Sequence, residues 1–208
     1  DENTAGRMIE PSDLPTLSAD TNAIFLGGIS LVVEPCAATY EAFATREAQN
    51  RVIMIDPNVR QGFITDEPAY RARVARMTAL ADIVKVSDED LKWLAGHGVL
   101  DRAAHEILAS GPALVCVTEG ADGVRGFSAS ETVQVRAQSV DVVDTVGAGD
   151  TFNAGVLASL DEAGLLTKER VRTLDKDAIS AALSLGARAA AITVSRAGAN
   201  PPTKAELA

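Results

Sequence analysis

Asp144-Thr145-Val146-Gly147-Ala148-Gly149-Asp150-Thr151-Phe152-Asn153-Ala154-Gly155 joins an apolar run, Val140 to Val143, to a helical pattern carried by Phe152, Val156, Leu157 and Leu160. The stretch reads as a glycine-rich turn feeding the amino terminus of a helix from about Ala148 to Ala163. Gly147, Ala148 and Gly149 leave first-turn N–H groups uncovered. Those groups and the positive end of the helix dipole can hold an anion, with phosphate as the natural guest. Asp150 falls in the first turn. One reading makes it a capping carboxylate; the other has it accept a proton from a hydroxyl while the N–H groups hold a phosphoryl group.

Working outward, four short apolar runs around 24–26, 52–55, 83–84 and 114–117 recur about every 30 residues. They predict buried parallel strands. Between them Tyr40, Phe43 and Ala44, then Tyr70, Val74 and Met77, then Ala103, Ala104, Ile107 and Leu108 follow helical spacing with charged residues opposite. The pattern is βαβαβα, with right-handed crossovers that place helices on both faces of an open sheet and ligands beyond the carboxyl ends of its strands. Val124 to Phe127 and Thr132 to Arg136 then predict an antiparallel hairpin at the sheet edge. A second long helix, from about Asp177 to Thr193, is packed with Ala and Gly. No linker, low-complexity segment or repeat interrupts the chain, so residues 1–208 read as a single α/β domain.

With 208 residues, 47% hydrophobic and 23% charged, the chain has the composition of a cored protein, not a disordered or collagen-like one. Its net charge of −10 repels nucleic acid and anionic membrane alike, so neither is an expected partner and an anionic ligand must be held locally. No apolar run approaches the roughly 18 residues that span a bilayer. The opening DENTAGRMIEP has no basic region followed by an apolar one, so neither signal peptide nor anchor is expected. Cys36 and Cys116 are too few for a disulfide scaffold and sit in or beside apolar stretches, which points to buried thiols and a reducing, cytoplasmic compartment.

The twelve positions of DTVGAGDTFNAG resemble the carboxyl-terminal signature of the ribokinase-type carbohydrate kinases, the ribokinase/phosphofructokinase-B family. Three further matches extend the resemblance over residues 56 to 202. Asp56-Pro57-Asn58-Val59-Arg60 resembles the DxNxR after a central strand of the sugar kinases, and Val117-Thr118-Glu119-Gly120-Ala121-Asp122-Gly123 their VTxGxxG nucleotide segment. The stretch from Ala189 to Pro202 is similar to their closing helix and GA loop. DENTAGRM, Gly27-Gly28-Ile29-Ser30-Leu31 and SRAGANPP are similar to fructokinase-type members.

The resemblance implies a ribokinase-like three-layer α/β/α fold with a mostly parallel central sheet and antiparallel edge strands. It implies transfer of the ATP gamma-phosphoryl group to a primary hydroxyl of fructose or a related keto-sugar. The alternatives are 2-keto-3-deoxygluconate kinase and a non-catalytic module that binds a nucleotide or sugar phosphate. Such kinases also carry, in their early part, a first strand, a sugar-contacting GGxxxN segment and a small β lid. None appears in this sequence, which resembles the later two-thirds of the family, with DENTAGRM similar to the strand just after the lid. Lids in this family often dimerise, which implies a homodimer for the full-length form.

Residue by residue, the family makes Asp150 the general base and Gly147, Ala148, Gly149 and the Asp150 amide the anion hole. Thr118, Gly120 and Gly123 would lie along ATP, unless the glycines only shape a hairpin turn. Gly186 and Ala187 would border the adenine, close helix packing being the competing account. Asn58 and Arg60 would meet the sugar or phosphate, with a surface salt bridge as the other explanation of Arg60. Where members carry NxxE, tied to Mg²⁺ and phosphate, this chain has Ser87 and Asp90. Asp90 is therefore an outer-shell Mg²⁺ candidate, while a solvated acidic helix start explains Asp88, Glu89 and Asp90 equally. In many members Asp144 and carbonyls near Gly198 bind a monovalent cation such as K⁺, but Pro202 offers no hydroxyl to such a site. Trp93 is expected in helix packing, and Asp82 and Lys85 at solvated strand ends.

Overall fold

Val52 and Met54 enter one apolar cluster while Ile53 and Ile55, alternating with them along the same strand, enter another. Burial on both sides is what a strand inside a covered parallel sheet requires. The computed structural model describes residues 4–207. Its six strands form one sheet in sequential order. β1 (Ala23–Gly27), β2 (Val52–Asp56), β3 (Ile83–Ser87) and β4 (Leu114–Thr118) run parallel. β5 (Val124–Phe127) and β6 (Thr132–Val135) run antiparallel at one edge. This is the mostly parallel sheet with antiparallel edge strands that the sequence predicts.

α1 (Cys36–Glu47), α2 (Glu67–Leu80), α3 (Asp88–Ala95) and α4 (Leu100–Ala109) cover one face through Phe43, Tyr70, Met77, Leu91 and Ala104. α5 (Ala148–Glu162) and α6 (Lys176–Val194) cover the other through Phe152, Val156, Ile179 and Leu183. The result is three layers. Side-chain caps fix the starts of α2, α3 and α6, where Asp66, Ser87 and Asp175 accept from the backbone N–H groups of Ala69, Asp90 and Ala178. Both cysteines are buried, as expected of thiols in apolar stretches.

Several local expectations change. The strand suggested by DENTAGRM falls partly on residues 1–3, outside the described residues, and Ala5–Arg7 forms a 3-10 turn. The run Val140 to Val143 is exposed and irregular, and the N–H groups of Val143 and the adjacent Asp144 donate to Val194 O. By length and mean hydropathy α6 could cross a membrane, but Ile179 and Leu183 are fully buried and press on the sheet at Gly126, so it is a core helix here.

The larger correction concerns Asp82 and Lys85, both buried instead of solvated. They flank and occupy β3, an interior strand, where a charge survives only with partners. Asp82 accepts from Ile53 N–H at 2.9 Å and from Lys168 Nζ at 2.7 and 2.8 Å, with Arg172 Nη2 at 3.3 Å. Lys85 pairs with Asp56.

α5 and α6 approach so closely that a Cβ on Gly155 would stand 2.7 Å from Gly186 Cα. Gly155→Ala is therefore expected to destabilise the protein by about 1–3 kcal/mol. An unchanged midpoint in urea denaturation would mean that the two helices can part freely.

Candidate active site

The parallel strands end together at their carboxyl ends, where Gly27 of β1 pairs with Asp56 of β2 and Ser87 of β3 with Thr118 of β4. Asp56 is 2% exposed. Its Oδ2 accepts from Lys85 Nζ and from Asn153 Nδ2, each at 3.0 Å, and its Oδ1 from the Asn58 N–H at 3.1 Å. This node ties β2 and β3 to the second turn of α5. Asn58 follows in the left-handed region at φ +40°, with its side-chain amide facing Gly28.

Above the node lies the start of α5. Gly147 takes φ +79° as the residue before the helix and provides no side-chain cap. The Ala148 N–H turns to Thr145 O at 3.3 Å, whereas the N–H groups of Gly149 and Asp150 find no acceptor among the described residues. Asp144 closes the turn by accepting from Val146 N–H at 3.0 Å and Gly198 N–H at 2.9 Å. These bonds hold its carboxyl below the usual aspartate range. A Cβ on Gly149 would stand 3.1 Å from Lys85 Nζ, so glycine there leaves room for the ammonium. Asp150 is exposed and lines a cavity of about 610 Å³ together with Ala154, Arg188 and Pro201.

The other candidate residues divide. Arg60 is exposed and reaches only Val59 O, at 3.3 Å, without an acidic partner among the described residues. Thr118 is half-buried at the end of β4. Gly120, at φ +54°, has open space where a side chain would be, so its backbone is free to be approached. At Gly123 a Cβ would stand 2.1 Å from Val135 O, and the close turn by itself accounts for the glycine. Gly186 is buried against Phe152 and Gly155, which matches the packing account, and Ala187 packs partly buried on the same core. Trp93 packs 6.1 Å from Tyr70 with Arg71 stacked 3.7 Å over its ring.

Reasoning from sequence missed Lys85 and Asn153 as partners of Asp56. The signal was present: a lysine inside the apolar strand Ile83-Val84-Lys85-Val86, and an asparagine on a helix beside Phe152 and Val156, each need a buried partner. Among the described residues no three His, Cys, Asp or Glu side chains gather as a metal cage.

Free N–H groups at a helix start, a carboxylate in the same turn and a buried cation beneath define a site suited to phosphoryl transfer. The chain matches the pfkB family carbohydrate kinases over residues 10–206 and belongs to that family. It is 52% identical over 179 residues to a fructokinase of Rhizobium leguminosarum bv. trifolii, covering 86% of this chain and 55% of the relative. The chain thus spans about half the length of the curated relatives it matches. Among solved structures, the fructokinase of Vibrio cholerae O395 in its fructose, ADP and calcium ion bound form superposes with a TM-score of 0.85 at 25% identity, covering 97% of this chain and 64% of that one. A ribokinase of Thermotoga maritima shares the fold, with a TM-score of 0.70 at 24% identity over 98% of this chain and 59% of that one.

Burial holds the Asp90 carboxyl above its ordinary value, with Asp56 adding to the effect and Ser87, Lys85 and the Val59 N–H opposing it. A raised carboxyl binds its proton more tightly in the folded state, so it favours folding at low pH and loses that contribution as pH rises through the folded value. Asp90→Asn is therefore expected to raise the melting temperature at pH 7, with the gain shrinking toward pH 4. A gain that does not depend on pH would contradict this assignment.

Proposed function

We propose that the protein carrying this chain is an ATP-dependent fructokinase. The observation that carries the reading is Asp150 in the first turn of α5, beside the unpaired Gly149 and Asp150 N–H groups. The 52% identity to a protein named fructokinase supports the choice of sugar, as does the likeness to a structure that holds fructose and ADP.

In this reading the Gly149 and Asp150 amides, with the helix dipole behind them, hold the transferring phosphoryl group as its charge spreads over the equatorial oxygens. Asp150 accepts the proton of the sugar's primary hydroxyl. As that oxygen bonds to phosphorus, the bridging P–O bond of the nucleotide breaks and ADP leaves with the electron pair. Thr118 and the open backbone at Gly120 border the nucleotide, with Ala187 toward the adenine. Asn58 and Arg60, beyond the end of β2, offer amide and guanidinium donors to the sugar.

Mg²⁺ supplied with ATP neutralises phosphate charge. Asp90 would help hold it through water, as an outer carboxylate. The Asp144 carboxylate, which accepts two backbone N–H groups, would be the group nearest a monovalent cation at this turn.

The test is ATP-dependent phosphorylation of fructose, 2-keto-3-deoxygluconate, ribose and adenosine by the full-length gene product. Fructose is the expected substrate. Asp150→Asn is expected to keep ATP binding while kcat falls by about 10² to 10⁴. Equal turnover by the variant would remove Asp150 as base. Preference for 2-keto-3-deoxygluconate would reassign the sugar, and ATP binding without turnover of any sugar would favour a non-catalytic module.

A further inference from the structure

Lys85 is 6% exposed, and its ammonium lies 3.1 Å from where a Cβ on Gly149 would stand. A cation beneath the amino end of a helix faces the positive pole of the dipole, an unfavourable pairing on its own. Asp56 offsets it at 3.0 Å, and Asn153 holds that carboxylate through the same oxygen. Asn153 is 1% exposed and its Oδ1 has no partner among the described residues, so the amide is oriented toward Asp56 at the expense of its own carbonyl. Asp82 shows the contrast: a buried charge just before the same strand, at its opposite end, paired with two cations. Lys85 lies instead beside Gly149, whose N–H, like that of Asp150, finds no acceptor among the described residues.

We propose that Lys85 is the fixed positive charge of the phosphoryl-transfer site, acting from beneath Gly149 on the anion gathered at the start of α5. Asp56 and Asn153 are the positioning residues that keep it there. The inference rests on the kinase reading above and adds to it a charge that the helix amides do not supply. Preorganised charge of this kind acts most strongly where negative charge accumulates in the transition state, so its loss falls on kcat more than on sugar binding.

The experiment compares wild type, Lys85→Met, Lys85→Arg and Gly149→Ala in the full-length gene product, with kcat, KM for fructose and calorimetric ATP affinity as readouts. Lys85→Met is expected to lower kcat by about 100-fold while KM for fructose changes by less than about threefold. Lys85→Arg restores part of the rate because it restores the charge. Gly149→Ala pushes a methyl toward the ammonium and is expected to cost about tenfold in kcat. Should Lys85→Met fail to fold, as judged by circular dichroism, Lys85→Arg and Gly149→Ala carry the test. A kcat for Lys85→Met, or for Gly149→Ala in its place, within about threefold of wild type overturns the proposal. If wild type phosphorylates no sugar, the kinase reading fails separately. ATP affinity then decides: binding weakened about tenfold in the charge-removing variant upholds the role of Lys85 toward the anion, and equal affinity overturns it.

Discussion

The position of the α5 amino terminus over the strand ends is the constraint on which the site depends, and it is imposed from three directions. Below, Asn153 reaches Asp56 at the end of β2. To the side, Gly155 lies against Gly186, and the Thr193 hydroxyl meets the Thr151 hydroxyl at 3.1 Å. In front, Asp144 joins the turn to the loop at Gly198. A helix held this way can present unpaired N–H groups to a ligand because its packing does not rely on those groups.

Buried charge is used differently at the two ends of β3. Asp82 is enclosed by Lys168 and Arg172 and also accepts the Ile53 N–H, which closes its hydrogen bonding. Such a pair is strongly destabilised when one partner is removed, although it contributes little net stability when whole. At the other end Lys85 has a single carboxylate, itself shared with Asn153 and Asn58, and no further acceptor among the described residues. One cluster is internally complete, whereas the other faces unpaired donors.

The opposite edge of the sheet is open. β1 pairs with β2 alone among the described residues, and Phe25 and Ile29 beside that edge are 38% and 47% exposed. An unpaired edge with apolar side chains is a surface that another strand or chain can cover. The curated relatives are about twice as long as the stretch this chain matches in them.

Strand positions, the two-faced burial of β2 to β4, the closing hairpin and the helical start at Gly147 were legible in the sequence, because apolar periodicity and glycine-rich turns are local properties. The motif around Asp150 was legible for the same reason, since its twelve positions are contiguous. The sequence determined that this chain builds a covered parallel sheet and a glycine-rich turn at the start of a helix. Only the tertiary structure decided that Lys85 lies buried beneath Gly149, because its placement depends on Asp56, 29 positions away, and through it on Asn153, 97 positions from Asp56. Likewise only the contact with Phe152 and Gly155 showed that Gly186 serves helix packing. Pairings across such separations leave no periodic trace, and burial of a charge becomes visible only once the strand carrying it has neighbours on both sides.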